Sequence, residues 1–264
     1  MSSLPDPWVA GLAAGWTVLG HTSAPPARLE CDVVVVGTGA GGGITAELLA
    51  RAGFKVLMLE EGPLKTSRDF NQLESEAYPT LYQESAARKT ADKAINILQG
   101  RCVGGSTTVN WTSSFRTPSA TLAHWRQHFG LTELTDDALA PYFQQAERRL
   151  NVSPWLVPPN ENNDLLRRGA AKLGIPAAAI LRNVKGCWNL GSCGMGCPTN
   201  AKQSQLLTGV PTALSHGATL LVNTRAVRLE VVQGQVRSLH AEFLGHKLDS
   251  VQDGKAQTAI EIKA

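Results

Sequence analysis

The chain has 264 residues, 43% of them hydrophobic, which supplies enough apolar side chain for a sizeable core in one large or two modest domains. Its 25 basic and 22 acidic residues are interspersed and leave a net charge of +3, with only 6% aromatics, so it lacks the basic, ring-interleaved stripe that grips nucleic acid. Five cysteines, an odd number, argue against a disulfide framework and for a reducing, cytoplasmic setting.

The first apolar stretch, residues 9–20, is shorter than the ~20 residues that span a bilayer, and no basic segment precedes it as a signal peptide would require. It reads as an amphipathic helix packed on the following domain, with peripheral membrane contact left open. Asp6 caps it, Pro7 suits its first position, and Trp8, Leu12, Trp16 and Leu19 share a face. A Pro-containing linker covers residues 23–28. Residues 1–30 are thus expected to be a helix and linker, and 31–264 one α/β domain.

Next comes "CDVVVVGTGAGGGITAELLARAGFKVLMLEEG", residues 31–62. Four successive valines predict a strand buried on both faces of a parallel sheet. Gly37, Gly39 and Gly42 form GxGxxG, a helix follows as far as Gly53, and a second apolar run ends at Glu60. In such a βαβ unit the first glycine permits the tight turn, the second lets a pyrophosphate approach the backbone, and the third lets helix and strand pack closely. The helix start offers free amides to phosphate. Glu60 lies 23 positions after Gly37, close to the offset of ~20 at which an acid binds ribose hydroxyls. The pattern predicts a dinucleotide and leaves NAD and FAD open.

Residues 63–99 are polar and predicted to be irregular. "GRCVGGSTTVNW" at 100–111 is either a plain turn or a second clamp on the same cofactor. Residues 122–150 are helical in pattern, with cap signals at Thr135 and Asp136, and His124 and His128 read as structural residues of a packed surface. A Pro-rich bend at 154–159 leads to a helix over 163–173. In "GCWNLGSCGMGC", residues 186–197, Cys187, Cys193 and Cys197 are spaced by six and four positions. A zinc site would want four ligands and a CxxC pair, so the choice lies between three thiolates on an iron–sulfur cluster and small residues that let the loop pass tightly. A helix then runs into His216, and Gln233-Gly234 breaks two β-rich runs as a hairpin turn does. The chain stops in "AIEIKA", within a strand pattern whose sheet edge would be exposed.

Three segments together, the βαβ unit, "GRCVGGSTTVNW" with Arg116 after it, and "GCPTNAKQS" followed by "GATLLVNTRAVRLEV", resemble the glucose–methanol–choline (GMC) family of FAD-dependent oxidoreductases. The flavour of the third is most like bacterial and fatty-alcohol-type members. The resemblance implies a Rossmann-like FAD-binding domain with β-rich and helical insertions, acting with an alcohol substrate whose CH–OH hydride passes to flavin N5. Gly37, Gly39 and Gly42 would hold the FAD pyrophosphate and Glu60 the adenosine ribose. Arg101, Gly104, Ser106 and Asn110 would form the second FAD clamp, and Val227 would meet adenine through its backbone. Members with covalent flavin carry His where Val109 stands, so FAD is expected to be non-covalent. Some sugar dehydrogenases similar to the family carry a [3Fe–4S] cluster on a loop of this kind, whereas "AKQS" is closer to members without one; tight packing is the expectation for the cysteines.

The family's catalytic His, with a His or Asn partner, lies far toward the C-terminus, and none of His21, His124, His128, His216, His240 or His246 occupies that position. The expectation is therefore an N-terminal portion, truncated before the substrate and catalytic domain and inactive alone, with no catalytic residue assigned. The electron acceptor, the particular alcohol and the oligomeric state are left open. The alternatives are an inactive remnant and an NAD-linked dehydrogenase.

Overall fold

The structure, a computed structural model, describes residues 6–245 and 258–263; His246 lies outside them. In chain order the helices are α1 (Pro7–Ala13), α2 (Ala40–Arg51), α3 (Glu74–Leu81), α4 (Ser106–Val109), α5 (Ser119–Phe129), α6 (Asp136–Arg149), α7 (Glu161–Lys172) and α8 (Gly209–Ser215). The strands are β1 (Thr17–Leu19), β2 (Arg28–Glu30), β3 (Val33–Val36), β4 (Val56–Leu59), β5 (Ser113–Ser114), β6 (Val152–Ser153), β7 (Leu181–Asn183), β8 (Thr219–Leu221), β9 (Thr224–Val232), β10 (Gln235–Phe243) and β11 (Thr258–Lys263). The chain divides into two compact units, residues 1–110 with 191–264, and residues 111–190. The first unit thus includes the N-terminal 30 residues, which carry two strands as well as the helix.

The first unit is built in three layers. Its middle layer is a parallel sheet in the order β1-β8-β4-β3. Side chains alternate across it, as strand geometry demands: Val35, Val56, Met58 and Leu220 face α2 and α8, whereas Leu57, Leu59 and Leu221 face a second sheet. That second sheet runs β2-β11-β10-β9 and contributes Leu239, Ala241, Ile260 and Ile262 to the same core. Helices α2 and α8 approach closely at glycines, since a Cβ on Gly209 would lie 2.6 Å from the Gly43 carbonyl oxygen. Trp8 is buried with its indole N–H donating to the Leu206 carbonyl at 2.9 Å, and Asp6 caps its amide. Helix α1 is thereby fixed to this core as expected, but it ends at Ala13: Leu12 is 40% exposed and Leu19 lies in β1, so the expected face of Trp8, Leu12, Trp16 and Leu19 does not form.

Further expectations change. Among the described residues the valine run ends the sheet order, and Val36 is 57% exposed although Val35 packs on one core and Val34 on the other; the more fully buried strands are β4 and β8. The terminal strand is not an edge, because β11 is paired on one side with β10 and on the other with β2. Residues 63–99 contain α3, whose low hydropathy and internal Pro79 hid its period.

The second unit has a three-stranded sheet β5-β7-β6 and helices α5, α6 and α7. Thr135 and Asn160 cap α6 and α7 through their side chains, so the pattern over 122–150 is two helices broken where the cap signals fall.

Candidate functional site

The nine residues singled out for cofactor binding all belong to the first unit. Gly37 takes φ +88° in the turn after β3, its N–H donating to the Leu59 carbonyl at 2.7 Å. Gly39 is the N-cap of α2 and no side chain caps that helix, so its first amides lack acceptors within the helix. A Cβ on Gly42 would sit 1.9 Å from the Gly37 carbonyl oxygen and 3.3 Å from Val35, so only glycine permits this packing of helix on strand. A Cβ on Gly37 or Gly41 would meet nothing within 4 Å, and one on Gly39 only the Gly105 Cα at 3.9 Å. Uncapped amides bordering open space are what a diphosphate needs.

The second glycine-rich loop meets the first. Gly104 and Gly105 both have positive φ, and a Cβ on Gly105 would lie 2.9 Å from the Gly39 Cα. Ser106 is exposed and its Oγ accepts from the Gly100 N–H at 3.0 Å. Asn110 is also exposed, at the C-cap of α4.

Glu60, at the tip of β4, is buried and holds an inward network: Oε2 accepts from the Thr38 N–H (2.9 Å) and hydroxyl (2.6 Å), and Oε1 from the Gly62 N–H (3.0 Å). Burial pushes its carboxyl above the ordinary value, against the lowering effect of those donors. Three donors leave room on the carboxylate for one more, such as a sugar hydroxyl. Next to it, Glu61 pairs with Arg225 at 3.0 Å and lies 3.8 Å from Arg101. The Arg101 Nε is buried without a partner among the described residues. Val227 falls where the β9–β10 ladder slips, between Ala226↔Ala241 and Arg228↔His240. It is thus the unpaired residue of a β-bulge, on an edge strand with its backbone free of the ladder.

Thr38 and Lys202 escaped sequence reading. Thr38 is fully buried, and Lys202 is 2% exposed; its ammonium donates to the carbonyls of Thr108 (2.7 Å), Asn110 (2.8 Å) and Cys193 (2.6 Å). The Tyr82 hydroxyl, pushed up to about 12 by burial and then by Tyr78 and Cys102, donates to the Gly194 carbonyl at 2.7 Å. Together these two side chains stitch the second glycine-rich loop to the turn Cys193–Met195. Gly196 packs on Phe70, whose ring a Cβ would meet at 2.3 Å. This supports tight packing as the work of that loop. All five cysteines are free thiols. Among the described residues no three His, Cys, Asp or Glu side chains converge as a metal or cluster would require. Burial pushes the Cys197 thiol up, but the Thr199 hydroxyl and the amides of Lys202, Thr199 and Ala201 outweigh it and hold it below the ordinary thiol value.

Residues 78–259 match the GMC oxidoreductase family, about two thirds of the chain. The chain belongs to the GMC oxidoreductase family. A long-chain-alcohol oxidase of Arabidopsis thaliana is 32% identical over 202 residues, covering 76% of this chain and 27% of that protein. An uncharacterized GMC-type oxidoreductase of Mycobacterium tuberculosis is 38% identical over 207 residues, 77% of this chain and 33% of its own length. The chain therefore spans about a quarter to a third of the length of these relatives. Among solved structures, pyridoxine 4-oxidase from Mesorbium loti superposes with a TM-score of 0.61 at 19% identity, covering 88% of this chain and 48% of that one. A formate oxidase gives 0.57 at 15% identity, covering 91% and 45%. These two show the shared fold. The GMC match begins downstream of GxGxxG, so the first glycine-rich loop rests on its own geometry.

The rings of His124 and His128 lie 4.3 Å apart between centroids within α5, tilted by 43°, and His216 ends α8 with Nδ1 2.9 Å from the Thr212 carbonyl. No helix among the described residues is long and apolar enough to cross a membrane.

Proposed function

We propose that the chain seats FAD non-covalently, as the cofactor-binding part of an oxidoreductase that acts on the CH–OH group of an alcohol. The observation that carries this reading is the meeting of the two glycine-rich loops, with uncapped amides at Gly39 and Ala40 and a buried acid at the end of the neighbouring strand. The residues fit the group: a Cβ on Gly37 or Gly41 would meet nothing within 4 Å, and one on Gly39 only the Gly105 Cα at 3.9 Å. Gly37, Gly39 and Gly42 would receive the diphosphate, Glu60 a ribose hydroxyl, and the bulged backbone at Val227 the adenine edge. Arg101, Gly104, Ser106 and Asn110 would line the second clamp. Bound FAD supplies a two-electron acceptor for the hydride an alcohol carbon gives up. Val109, where covalent members carry His, is buried and apolar and offers no nucleophile for a flavin linkage.

Support for an alcohol substrate comes from the long-chain-alcohol oxidases of Arabidopsis thaliana at 31–35% identity. The proton-accepting base is assigned to no histidine of this chain. A titration of the purified chain with FAD tests the reading: quenching of flavin fluorescence and a protein-bound absorption spectrum are expected, released by denaturation without covalent residue. A chain that binds ADP-ribose of NAD but not FAD would replace flavin with nicotinamide.

A further inference from the structure

We propose that Thr38 is a positioning residue that locks the two glycine-rich loops into one cofactor clamp; the proposal rests on the flavin reading above. Thr38 occupies the variable position inside GxG and has no solvent exposure. Its hydroxyl is used in both directions. It donates to Glu60 Oε2 at 2.6 Å and accepts from the Gly104 N–H at 3.0 Å. One side chain therefore touches the acid at the tip of β4 and the turn of the second loop, while its own backbone N–H holds the same carboxylate oxygen. A hydroxyl gives and takes a hydrogen bond through one oxygen; an isosteric valine does neither and leaves the Gly104 amide without this acceptor.

The spacing of the loops is set a second time nearby. With φ at +88° for Gly104 and +53° for Gly105, the second loop folds back onto Gly39, so closely that a Cβ at Gly105 would lie 2.9 Å from the Gly39 Cα. Amide donors on two separate loops serve one diphosphate only while their separation is held. The Thr38 hydroxyl holds it from within and the glycine contact from without.

The test is an FAD titration of the full chain, read by flavin fluorescence, with Thr38→Val, Thr38→Ser and Gly105→Ala beside the wild type. Thr38→Val is expected to weaken FAD about tenfold, the scale of one to two buried hydrogen bonds, and Thr38→Ser to restore affinity to within about twofold. Thr38→Val, which strands the Gly104 amide, should also unfold more readily than Thr38→Ser, so affinity is compared where circular dichroism shows each variant folded, and a loss there is one of positioning. Gly105→Ala should weaken FAD through spacing with Thr38 intact, and it decides the matter if Thr38→Val fails to fold. Wild-type binding with an unaffected Thr38→Val, or with an unaffected Gly105→Ala, overturns the proposal alone. A wild-type chain that leaves flavin fluorescence unquenched overturns the flavin reading and this proposal with it.

Discussion

The two units of the chain are held by different physics. In the first, two clusters of buried side chains lie on either face of the parallel sheet, and Met58, Leu220, Leu221, Ile260 and Ile262 are completely or almost completely enclosed. In the second, Leu122 is the one buried apolar residue among those described, and α6 and α7 have none. Its order comes instead from local devices: the caps at Thr135 and Asn160, the forked Arg116–Glu147 pair at 2.7 Å, Asp164 paired with Arg167 and Arg168, and the Arg182 guanidinium 4.0 Å over the Trp155 ring. Burial contributes roughly 1.5–3 kcal/mol for each large apolar side chain, whereas an exposed ion pair contributes at most about 1. Secondary structure can thus be equally regular in two regions while tertiary stability is concentrated in one, and the candidate cofactor site lies on the stable one.

That contrast can be broken or sharpened by substitution. Gly42→Ala should have the largest effect, preventing the first unit from folding, because its Cβ would overlap the Gly37 carbonyl. Gly39→Ala, whose Cβ would meet only the Gly105 Cα at 3.9 Å, should keep the fold and lose only FAD; circular dichroism together with flavin titration separates the two. Leu220→Ala should cost about 2–5 kcal/mol in denaturant unfolding, while Leu166→Ala, on the exposed face of α7, should stay within about 0.5 kcal/mol. Equal losses would erase the distinction between the units. Lys202→Met should cost about 2 kcal/mol by stranding carbonyls on two loops, and it should speed the labelling of Cys193 and Cys197 by a thiol reagent.

A smaller effect is a pH slope. Because burial raises the Glu60 carboxyl in the folded chain, the folded state holds that proton more tightly than the unfolded one. The stabilisation this gives is complete below the ordinary carboxyl range and is lost as pH rises through the raised folded value. The unfolding midpoint of the wild type relative to Glu60→Gln should therefore fall as pH is increased above about 4. A difference that grows with pH would mean that the donors from Thr38 and Gly62 outweigh burial.

Much of the first unit's local form is legible in residues 31–62: the valine run, the GxGxxG turn and the following helix are set by β-branching and by backbone freedom within a few residues. The Gln233-Gly234 turn, with φ of +51° and +77°, and the Thr135 cap are legible for the same reason. Thr38 and Lys202 are not. A threonine between glycines and a lysine in a polar run look like surface residues, and no spacing rule marks them as enclosed. Their partners lie 66 and 94 positions away at Gly104 and Thr108. The three cysteines left packing and a cluster open in sequence, with packing expected, because closeness in sequence says nothing of convergence in space; the described residues show no such convergence.

What the sequence determined by itself was local conformation and chemistry: where helices begin, which glycines must be glycine in a turn, and the pairing of an uncapped, glycine-rich helix start with an acid at the next strand's end. The tertiary structure decided that β3 ends the sheet order among the described residues, that β11 is interior, and that a hydroxyl and an ammonium bind the loops from within. Backbone preference acts over a few residues and is written in them. Strand order and burial depend on which distant segments exclude water together, and that is settled only when the chain closes on itself.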